Sequence, residues 1–383
     1  MRQEEATTMK NRLPGLYVHI PFCKTKCPYC SFYSATDIEA VDVYLHALAR
    51  EMISRRTTFP LFESLYIGGG TPSILESAHW ETLFQSIRKC FSFTGRTEIT
   101  VEVNPADLNC SLLSLLRDLG VNRLNIGVQS FQDHLLTFLG RRHNARQART
   151  AIEMASLAGF QHLGLDLIFG IPQQDLDMWL ADLNVATAFP VDHLSCYQLT
   201  VEPDTPLEKD MSTSKSVLPG ERKQLIYFRR TSEFLSESGY FHYEISNFAK
   251  GHGAMSKHNR KYWDHTPYLG LGPSAHSFDG RKRWWNMRSL SAYHRALENG
   301  RLPVEGQEIL TMAQRRLETL MLGFRTAQGV DSHGFKQAFQ RDLLREKADT
   351  LTHLQGKGLI IIKDGFIRPT LSGMAVADQL GLL

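Results

Sequence analysis

Long hydrophobic runs are missing from the 383-residue sequence: no apolar stretch reaches the about eighteen residues that a membrane span needs. The first fourteen residues, MRQEEATTMKNRLP, are polar and mixed in charge, which excludes a secretory signal. An excess of one charge is also missing, because 43 Lys and Arg against 40 Asp and Glu leave a net charge of +3. This balance gives no general attraction for nucleic acid or for an anionic membrane. We therefore expect a cytoplasmic protein with no membrane span and no nucleic-acid partner.

Cysteine is scarce, and half of it is concentrated in one place. The sequence has six cysteines, of which Cys23, Cys27 and Cys30 fall within HIPFCKTKCPYCSFY. So few cysteines do not make a disulfide framework, and they indicate a reducing compartment. The other three lie in apolar contexts and are predicted to be small buried residues: Cys90, Cys110 and Cys196.

The C-x3-C-x2-C spacing suits an iron–sulfur cluster in which one iron stays open. Four thiolates complete the coordination of a cubane cluster, whereas three leave one iron without a protein ligand and available for chemistry. Pro21 and Pro28 stiffen the loop, and Lys24 and Lys26 oppose the negative charge of the thiolates. The alternatives are a tetrahedral zinc site completed by a distant histidine, or three unrelated buried thiols.

The first 200 residues alternate short apolar runs with amphipathic stretches, at the spacing of βα units. Six such units in succession predict an α/β fold whose parallel sheet curls into a partial TIM-type barrel. The predicted strands are Leu16–Ile20, Ser64–Ile67, Glu98–Val103, Arg123–Val128, His162–Ile168 and His193–Leu199. The predicted helices are Val41–Arg55, Trp80–Cys90, Leu112–Leu119, Ala145–Ala158 and Asp177–Ala188.

In such a barrel the ligand lies at the carboxyl ends of the strands, so the residues there should carry the chemistry. Gly68–Gly70 follows the second strand and lets a ligand approach the backbone, because glycine has no Cβ. Polar side chains stand at the ends of three further strands: Glu102, Gln129 and Asp166. The structural alternatives are a tight turn at the glycines and hydrogen-bond networks at the strand ends.

The pattern changes beyond residue 200. Met211–Ser216 is rich in Ser and Thr and is predicted to be an exposed loop, and Glu221–Ser238 is predicted to be a helix. The aromatic, glycine-rich segment after HYEISNFA has no clear period. From Met312 onward three helices precede LIIIKDGFIRPT, where the Asp-Gly pair at 364–365 predicts a hairpin turn. This order is similar to that of a small winged-helix-like domain.

The cysteine motif resembles that of radical S-adenosylmethionine proteins, in which the amino and carboxylate groups of the methionine moiety chelate the open iron. With YVHIPFC, GGGTP, VNP, RLNIGVQSF and DLIFGIP, the sequence is similar to the coproporphyrinogen dehydrogenase family across roughly residues 16 to 200. The resemblance implies a [4Fe–4S] cluster on the three clustered cysteines, with S-adenosylmethionine beside it. It also implies nine cofactor contacts: Tyr17, Tyr29, Gly69, Gly70, Thr71, Glu102, Gln129, Arg141 and Asp166. Arg142 is adjacent to Arg141, which leaves two candidates for the cationic contact.

Two features separate this sequence from the porphyrinogen enzymes. Those enzymes resemble the pattern C-x3-C-x2-C-x-C, with a fourth cysteine two residues after the third, and here Phe32 holds that position. They also have a longer leader before the cluster than the 22 residues that precede Cys23 here. The short leader, Phe32 and the segment HNRKYW instead resemble the HemW branch of the family, whose members are regarded as heme chaperones. This resemblance implies heme contacts by four residues: His258, Asn259, Tyr262 and Trp263.

HNRKYW also has chemistry suited to heme, because imidazole is a common axial ligand of heme iron and aromatic faces suit a macrocycle. Arg260 and Lys261 have the charge to neutralise propionates. The alternatives are that the aromatic residues pack in the core and His258 is hydrogen-bonded, or that another histidine serves. The other histidines nearby are His252, His265 and His276.

The resemblance implies a protein that binds heme and passes it to acceptor proteins, while the barrel retains the cluster and S-adenosylmethionine. On this interpretation the protein is not primarily an enzyme, and no catalytic residue is assigned. Its partners would be heme, heme-accepting proteins, an electron donor for the cluster and, in a homodimer, a second copy. The rival interpretations are an oxygen-independent coproporphyrinogen III oxidase and a radical enzyme acting on another substrate.

We divide the sequence into four parts on these patterns. A polar tail over 1–14 precedes a radical S-adenosylmethionine core over 15–205, which carries the cluster and cofactor site. A barrel extension over 206–305 contains HNRKYW, and a helical domain with a hairpin occupies 306–383.

Overall fold

The computed structural model describes residues 12–213 and 217–382, and it confirms the predicted α/β fold. Six parallel strands follow one another across the sheet in chain order. They are β1 Gly15–Ile20, β2 Phe62–Gly69, β3 Phe93–Val103, β4 Arg123–Gln129, β5 His162–Phe169 and β6 His193–Gln198. The helices between them are α1 Val41–Arg55, α2 Ser77–Cys90, α3 Cys110–Asp118, α4 Asp133–Phe138, α5 Ala145–Leu157 and α6 Leu176–Ala188. Most of the predicted tail, residues 1–11, lies outside the described residues.

Polar caps and apolar faces explain why five of these helices form where the sequence predicts them, whereas the short helix α4 is not predicted. Asn109, Asn144 and Asp175 each accept a hydrogen bond from the backbone N–H three residues later, which satisfies a free donor at the helix start. The inward face of each helix packs on outward-facing strand residues, such as Leu16 and Val18 of β1, and both of these are fully buried. The main core therefore lies between the sheet and its helices.

The sheet continues at both ends and reaches twelve strands, in the order β12-β11-β10-β9-β1-β2-β3-β4-β5-β6-β8-β7. The added strands have three to six residues: β7 Phe241–Glu244, β8 Asn247–Ala249, β9 Tyr268–Leu271, β10 His276–Phe278, β11 Lys282–Asn286 and β12 Val304–Ile309. The accompanying helices are α7 Pro206–Thr213, α8 Glu221–Glu237, α9 Lys257–Trp263 and α10 Leu290–Glu298. Strand β9 runs parallel to β1, so it adds a seventh parallel strand.

The predicted loop over Met211–Ser216 is wrong at its start, because residues 211–213 belong to helix α7. Residues 214–216 lie outside the described part of the chain. The helix is held in place by Leu207, whose side chain is buried and whose backbone N–H donates to the carbonyl oxygen of Pro28 at 2.9 Å. This tertiary anchor outweighs the local preference of Ser and Thr for loops.

The carboxyl-terminal part has its own core, which includes Phe324, Phe335 and Ile367. Its elements are α11 Met312–Gly323, β13 Val330–Asp331, α12 Ser332–Phe339, α13 Leu343–Glu346, α14 Ala348–Gly356, β14 Ile360–Lys363, β15 Phe366–Pro369, α15 Leu371–Met374 and α16 Ala377–Leu380. Asp364 and Gly365 both have positive φ, 52° and 79°, and join β14 to β15. The hairpin prediction is confirmed, since positive φ at both central residues is the signature of a type I′ turn.

Helix α11 and the residues just after it contact the sheet near both of its edges. Glu318 in the helix forms an ion pair with Arg283 of β11 at 2.9 Å. Just beyond the helix, the carbonyl oxygen of Arg325 accepts a hydrogen bond from the N–H of Ile245, next to β7, at 2.9 Å. The carboxyl-terminal part thus contacts β11 near one edge of the sheet and the residue after β7 at the other edge. No helix in residues 12–213 and 217–382 has the length and apolar character of a membrane span.

Candidate cluster and cofactor site

The inner surface of the curved sheet is set by the alternation of side chains along each strand. In β1, Leu16, Val18 and Ile20 are buried against the helices, so Tyr17 and His19 face the inside. The cysteine loop leaves the carboxyl end of this strand. The inner surface and the loop therefore meet at one end of the barrel, as the sequence predicts.

The cysteine loop is fixed by backbone hydrogen bonds and by one side chain from the neighbouring strand. The N–H of Cys23 donates to the carbonyl oxygen of Ala35 at 3.0 Å, and the N–H of Cys30 donates to that of Cys27 at 3.1 Å. The hydroxyl of Thr71, after β2, lies 3.2 Å from Sγ of Cys23. All three thiols are free and half-buried, so they are accessible from the open end of the barrel.

Arg141, and not Arg142, reaches the cysteine loop. Nη1 of Arg141 lies 3.5 Å from Sγ of Cys27, and Nη2 donates to the carbonyl oxygen of Gly127 at 2.7 Å. Arg142 instead forms an ion pair with Asp107, which also accepts a hydrogen bond from Lys24 of the loop at 3.2 Å. The structure thus distinguishes two adjacent arginines that the sequence leaves equivalent.

The donor set suits an iron–sulfur cluster with three protein ligands. Burial raises the pKa of the Cys30 thiol, so holding a thiolate there requires compensating positive charge. Arg141 beside Cys27 supplies such a charge, and Lys26 in the same loop acts on Cys30 in that direction.

The glycine run at the end of β2 passes close to the end of β1, where side chains would not fit. A Cβ on Gly70 would lie 2.7 Å from the carbonyl oxygen of Phe22, and one on Gly69 would lie 2.4 Å from the His19 ring. Gly69 also has a φ of 108°, which only glycine adopts readily. The run therefore lies against the cysteine loop with its backbone accessible, as close approach to a ligand requires.

Two half-buried carboxyl groups on the inner surface lie close enough for their charges to interact. Glu102 accepts hydrogen bonds from the Tyr66 hydroxyl at 2.7 Å and from the Gly69 N–H at 3.0 Å. Burial raises the pKa of Glu102, and burial raises the pKa of Asp166 to about 7, with the charge of Glu102 adding to the effect. Two carboxyls in this state are suited to a cationic ligand, which would draw both into the charged form.

The remaining predicted cofactor residues lie around the same end of the barrel. Gln129 has a φ of 71° at a register irregularity between β4 and β5, and its side chain lies near Gly127 and Arg141. Tyr29 packs on the apolar cluster that contains Leu135. Nε of Arg141 is buried and has no hydrogen-bond partner among the described residues, so the site retains a donor for an anionic group such as a carboxylate.

Sequence reasoning missed two inner residues, His19 and Tyr66. The hydroxyl of Tyr17 is 3.0 Å from Nδ1 of His19, and Nε2 of His19 is 2.9 Å from the carbonyl oxygen of Tyr33. Burial lowers the pKa of His19 to about 4, so its ring is neutral and orients the cysteine loop. The two-residue period of the strands could have identified both residues. His19 is two residues after Tyr17 and Tyr66 is two residues before Gly68, so each shares the inner face with a predicted site residue.

The predicted heme residue His258 lies at the other end of the barrel. It is 1% exposed, with Nδ1 at 3.0 Å from the Ser64 hydroxyl and Nε2 at 2.9 Å from the Tyr262 hydroxyl. Its backbone N–H donates to Glu98 at 3.1 Å. Ser64 lies near the start of β2 and pairs with Gly15, the first residue of β1, so helix α9 closes the amino end of the sheet. In this arrangement both ring nitrogens of His258 are occupied.

The other residues of HNRKYW also take part in packing. Asn259 lies in the first turn of α9, where its N–H donates to the Ser256 hydroxyl, and Tyr262 packs edge-on against Tyr268. Trp263 lies beneath the guanidinium of Arg325. Lys261 is buried and forms an ion pair with Glu63.

The three alternative histidines differ in environment. His265 is half-buried beside Phe278, and its Nε2 is buried without a partner in the described residues. His252 is exposed beside Phe241, beyond β8, and His276 is exposed at the start of β10. Only the last of these lies at the end of the sheet that carries the cysteine loop.

The prediction for the three cysteines outside the loop is only partly correct. Cys196 in β6 is buried, as predicted. Cys90 is half-buried and Cys110 is exposed. Cys110 opens helix α3, whose buried face is formed by Leu112, Leu113 and Leu116, and this places the cysteine toward solvent.

Comparison with known proteins agrees with this geometry. The radical SAM superfamily model matches residues 17–186, and the HemN C-terminal domain model matches residues 310–376. A protein of Bacillus subtilis named heme chaperone HemW is 34% identical over 372 residues, which cover 96% of this chain and 98% of that protein. The Escherichia coli protein of the same name is 35% identical over 320 residues, with coverage of 81% and 82%.

A solved structure of coproporphyrinogen III oxidase (HemN) from Escherichia coli, described as a radical SAM enzyme, has the same fold. The two superpose with a TM-score of 0.85 at 25% identity, covering 99% of this chain and 91% of that one. The fold is thus shared along nearly the whole of both chains. The chain belongs to the HemW family, within the radical SAM superfamily.

Proposed function

We propose that this protein binds heme and transfers it to heme-accepting proteins. The observation that carries the proposal is the match to proteins named heme chaperone HemW along nearly the whole chain, 96% in one case. Phe32 also supports the proposal. It is 66% exposed, two residues after Cys30, at the position where the pattern of the porphyrinogen enzymes has a fourth cysteine. An exposed phenylalanine cannot ligate iron, whereas it offers apolar surface to a macrocycle.

We also propose that the cysteine loop holds a [4Fe–4S] cluster on Cys23, Cys27 and Cys30, with S-adenosylmethionine exchangeable beside it. When bound, this pair supplies one-electron chemistry. The residues of the chain would position it. Arg141 balances thiolate charge and offers its free Nε to a carboxylate, and Glu102 and Asp166 accept hydrogen bonds from amino and hydroxyl groups.

The remaining proposals concern partners and parts of the chain. The proposed partners are heme, heme-accepting proteins, an electron donor for the cluster and, in a homodimer, a second copy, and the proposed compartment is the cytoplasm. The proposed core over 15–205 is supported by the superfamily match over 17–186, and the proposed domain over 306–383 by the match over 310–376. Residues 206–305 then form the extension of the sheet.

A second candidate is oxidative decarboxylation of coproporphyrinogen III, which the fold shared with HemN favours. One anaerobic experiment separates the two. The reconstituted protein is titrated with heme by absorbance and is then given reductant, S-adenosylmethionine and coproporphyrinogen III. Saturable heme uptake without protoporphyrinogen IX, followed by heme transfer to an added apo-hemoprotein, is the expected result. Conversion without a saturable heme site would overturn the chaperone proposal.

A further inference from the structure

A histidine and a tryptophan face each other at the end of the sheet that carries the cysteine loop. Strand β9 is parallel to β1, so the turn that follows β9 lies at this end, and His276 is the first residue after the turn. In the antiparallel pair β10–β11, His276 is directly opposite Trp285. Their rings are stacked, with centroids 5.9 Å apart and an angle of 26° between the planes.

The imidazole of His276 is free to bind a ligand, whereas both ring nitrogens of His258 have partners within the protein. The side chain is exposed, and neither ring nitrogen has a hydrogen-bond partner in the described part of the chain. Partial burial, together with the positive charge of Arg283, lowers the pKa of His276. The ring is therefore neutral at pH 7, which is the form that binds a metal.

The position of Trp285 depends on a glycine in the next strand. Gly306 of β12 is opposite Trp285, and a Cβ at this position would lie 2.3 Å from the indole ring. The absence of a side chain lets the indole lie flat against β12. Trp285 is thereby held where it can fix the plane of the His276 ring.

The surroundings of this pair suit an amphipathic, planar anion. After β11, Nη2 of Arg288 approaches the carbonyl oxygen of Ser31 at 3.5 Å, and the N–H of Leu290 donates to the Tyr33 hydroxyl at 2.8 Å. These contacts attach the segment after β11 to the cysteine loop, where the exposed Phe32 lies between the two partners Ser31 and Tyr33. The stacked pair, the exposed guanidinium of Arg288 and Phe32 thus all lie at the end of the sheet that carries the cysteine loop.

We propose that His276 is an axial ligand of the heme cargo, with Trp285 fixing the imidazole plane and Arg288 facing a propionate. This inference rests on the proposed heme-binding function. It places the cargo beside the cysteine loop, at the opposite end of the barrel from HNRKYW. Heme iron takes a neutral imidazole, and apolar surface beside a cation matches a porphyrin with propionates at its edge.

The test is heme titration of the full-length, anaerobically reconstituted protein and three variants, followed by absorbance in the Soret region. H276A should raise the heme Kd at least tenfold, with added imidazole restoring the histidine-ligated spectrum. H276M should shift the spectrum toward methionine ligation. H252A is the matched control, because His252 is also exposed beside an aromatic ring but lies at the other end, and it should bind as the parent does. Unchanged cluster absorbance and circular dichroism establish that each variant is folded.

The outcomes separate this inference from the function on which it rests. If the parent binds heme and H276A binds it equally well with the same spectrum, His276 is not the ligand, while heme binding stands. If the parent has no saturable heme site, the proposed function fails and takes this inference with it. A weakened H276A beside a normal H252A supports both.

Discussion

The guanidinium of Arg141 bridges the cysteine loop and the parallel sheet: Nη1 lies 3.5 Å from Sγ of Cys27, and Nη2 donates to the carbonyl oxygen of Gly127 at 2.7 Å. A Cβ on Gly127 would lie 3.3 Å from the same Nη2, so the glycine is part of the arrangement. The loop that is proposed to hold the cluster is thus tied to β4 through one charged group. The positive charge of Arg141 therefore interacts directly with any charge that develops on the cluster.

Replacing Arg141 by glutamine should lower the reduction potential of the cluster. Reduction adds negative charge, and the loss of a nearby cation makes it less favourable. We expect a decrease of about 40 to 80 mV, the one-electron equivalent of about 1 to 2 kcal/mol. A mediated redox titration followed by electron paramagnetic resonance measures it. Arg142→Gln is the control, since Arg142 pairs with Asp107; an equal shift in both variants would show that Arg141 has no special role.

Each cysteine of the loop should be required for the cluster. Replacing Cys23, Cys27 or Cys30 by alanine leaves only two thiolates, and we expect each variant to lose most of its iron and acid-labile sulfide after reconstitution. Iron and sulfide analysis, with absorbance near 400 nm, measures the loss. Cys110→Ala is the control, because Cys110 is exposed on α3, and it should keep the full content. A stable cluster in any of the three loop variants would require another ligand.

The sequence predicts most of the six βα units because short apolar strands alternate with helices that have an apolar face. Val41–Arg55 is predicted without error although Ala40 before it gives no side-chain cap, and Asn144 caps the start of α5. The sequence beyond residue 240 lacks this alternation, so strands β7 to β12 are not predicted. Their formation depends on pairing with distant strands, as Tyr268 of β9 pairs with Gly15 of β1.

The candidate site is predicted in part for a similar reason. Glycines and carboxyl groups at strand ends stand out in the sequence, and the structure brings Gly69 and Glu102 into a hydrogen bond of 3.0 Å. The sequence HNRKYW does not by itself predict at which end of the barrel helix α9 lies. It depends on Ser64 and Glu98, more than 150 residues earlier, which accept or share the hydrogen bonds of His258.

Glu102→Gln should weaken the binding of S-adenosylmethionine. The amide keeps the size of the side chain but has no charge, and one of its two terminal atoms becomes a donor. Loss of a charge-assisted hydrogen bond corresponds to about 1.5 to 3 kcal/mol, so we expect affinity to fall by about tenfold to a hundredfold. Anaerobic equilibrium dialysis measures it. Tyr66→Phe is the control: it removes one hydrogen bond to Glu102 but keeps the carboxyl, so a loss as large as that of Glu102→Gln would contradict a direct role for the charge.

His258→Asn should reduce the dependence of folding stability on pH. Burial, with the nearby charge of Lys261, lowers the pKa of His258 from 6.5 to about 3 in the folded protein. Between pH 7.5 and 5.5 the unfolded chain therefore takes up a proton that the folded chain does not, and stability falls as the pH falls. One such histidine accounts for about 1.4 kcal/mol of this loss. Urea unfolding of the parent and the variant at both pH values measures the difference. An equal pH dependence in the parent and in His258→Asn would show that His258 is not a buried neutral group.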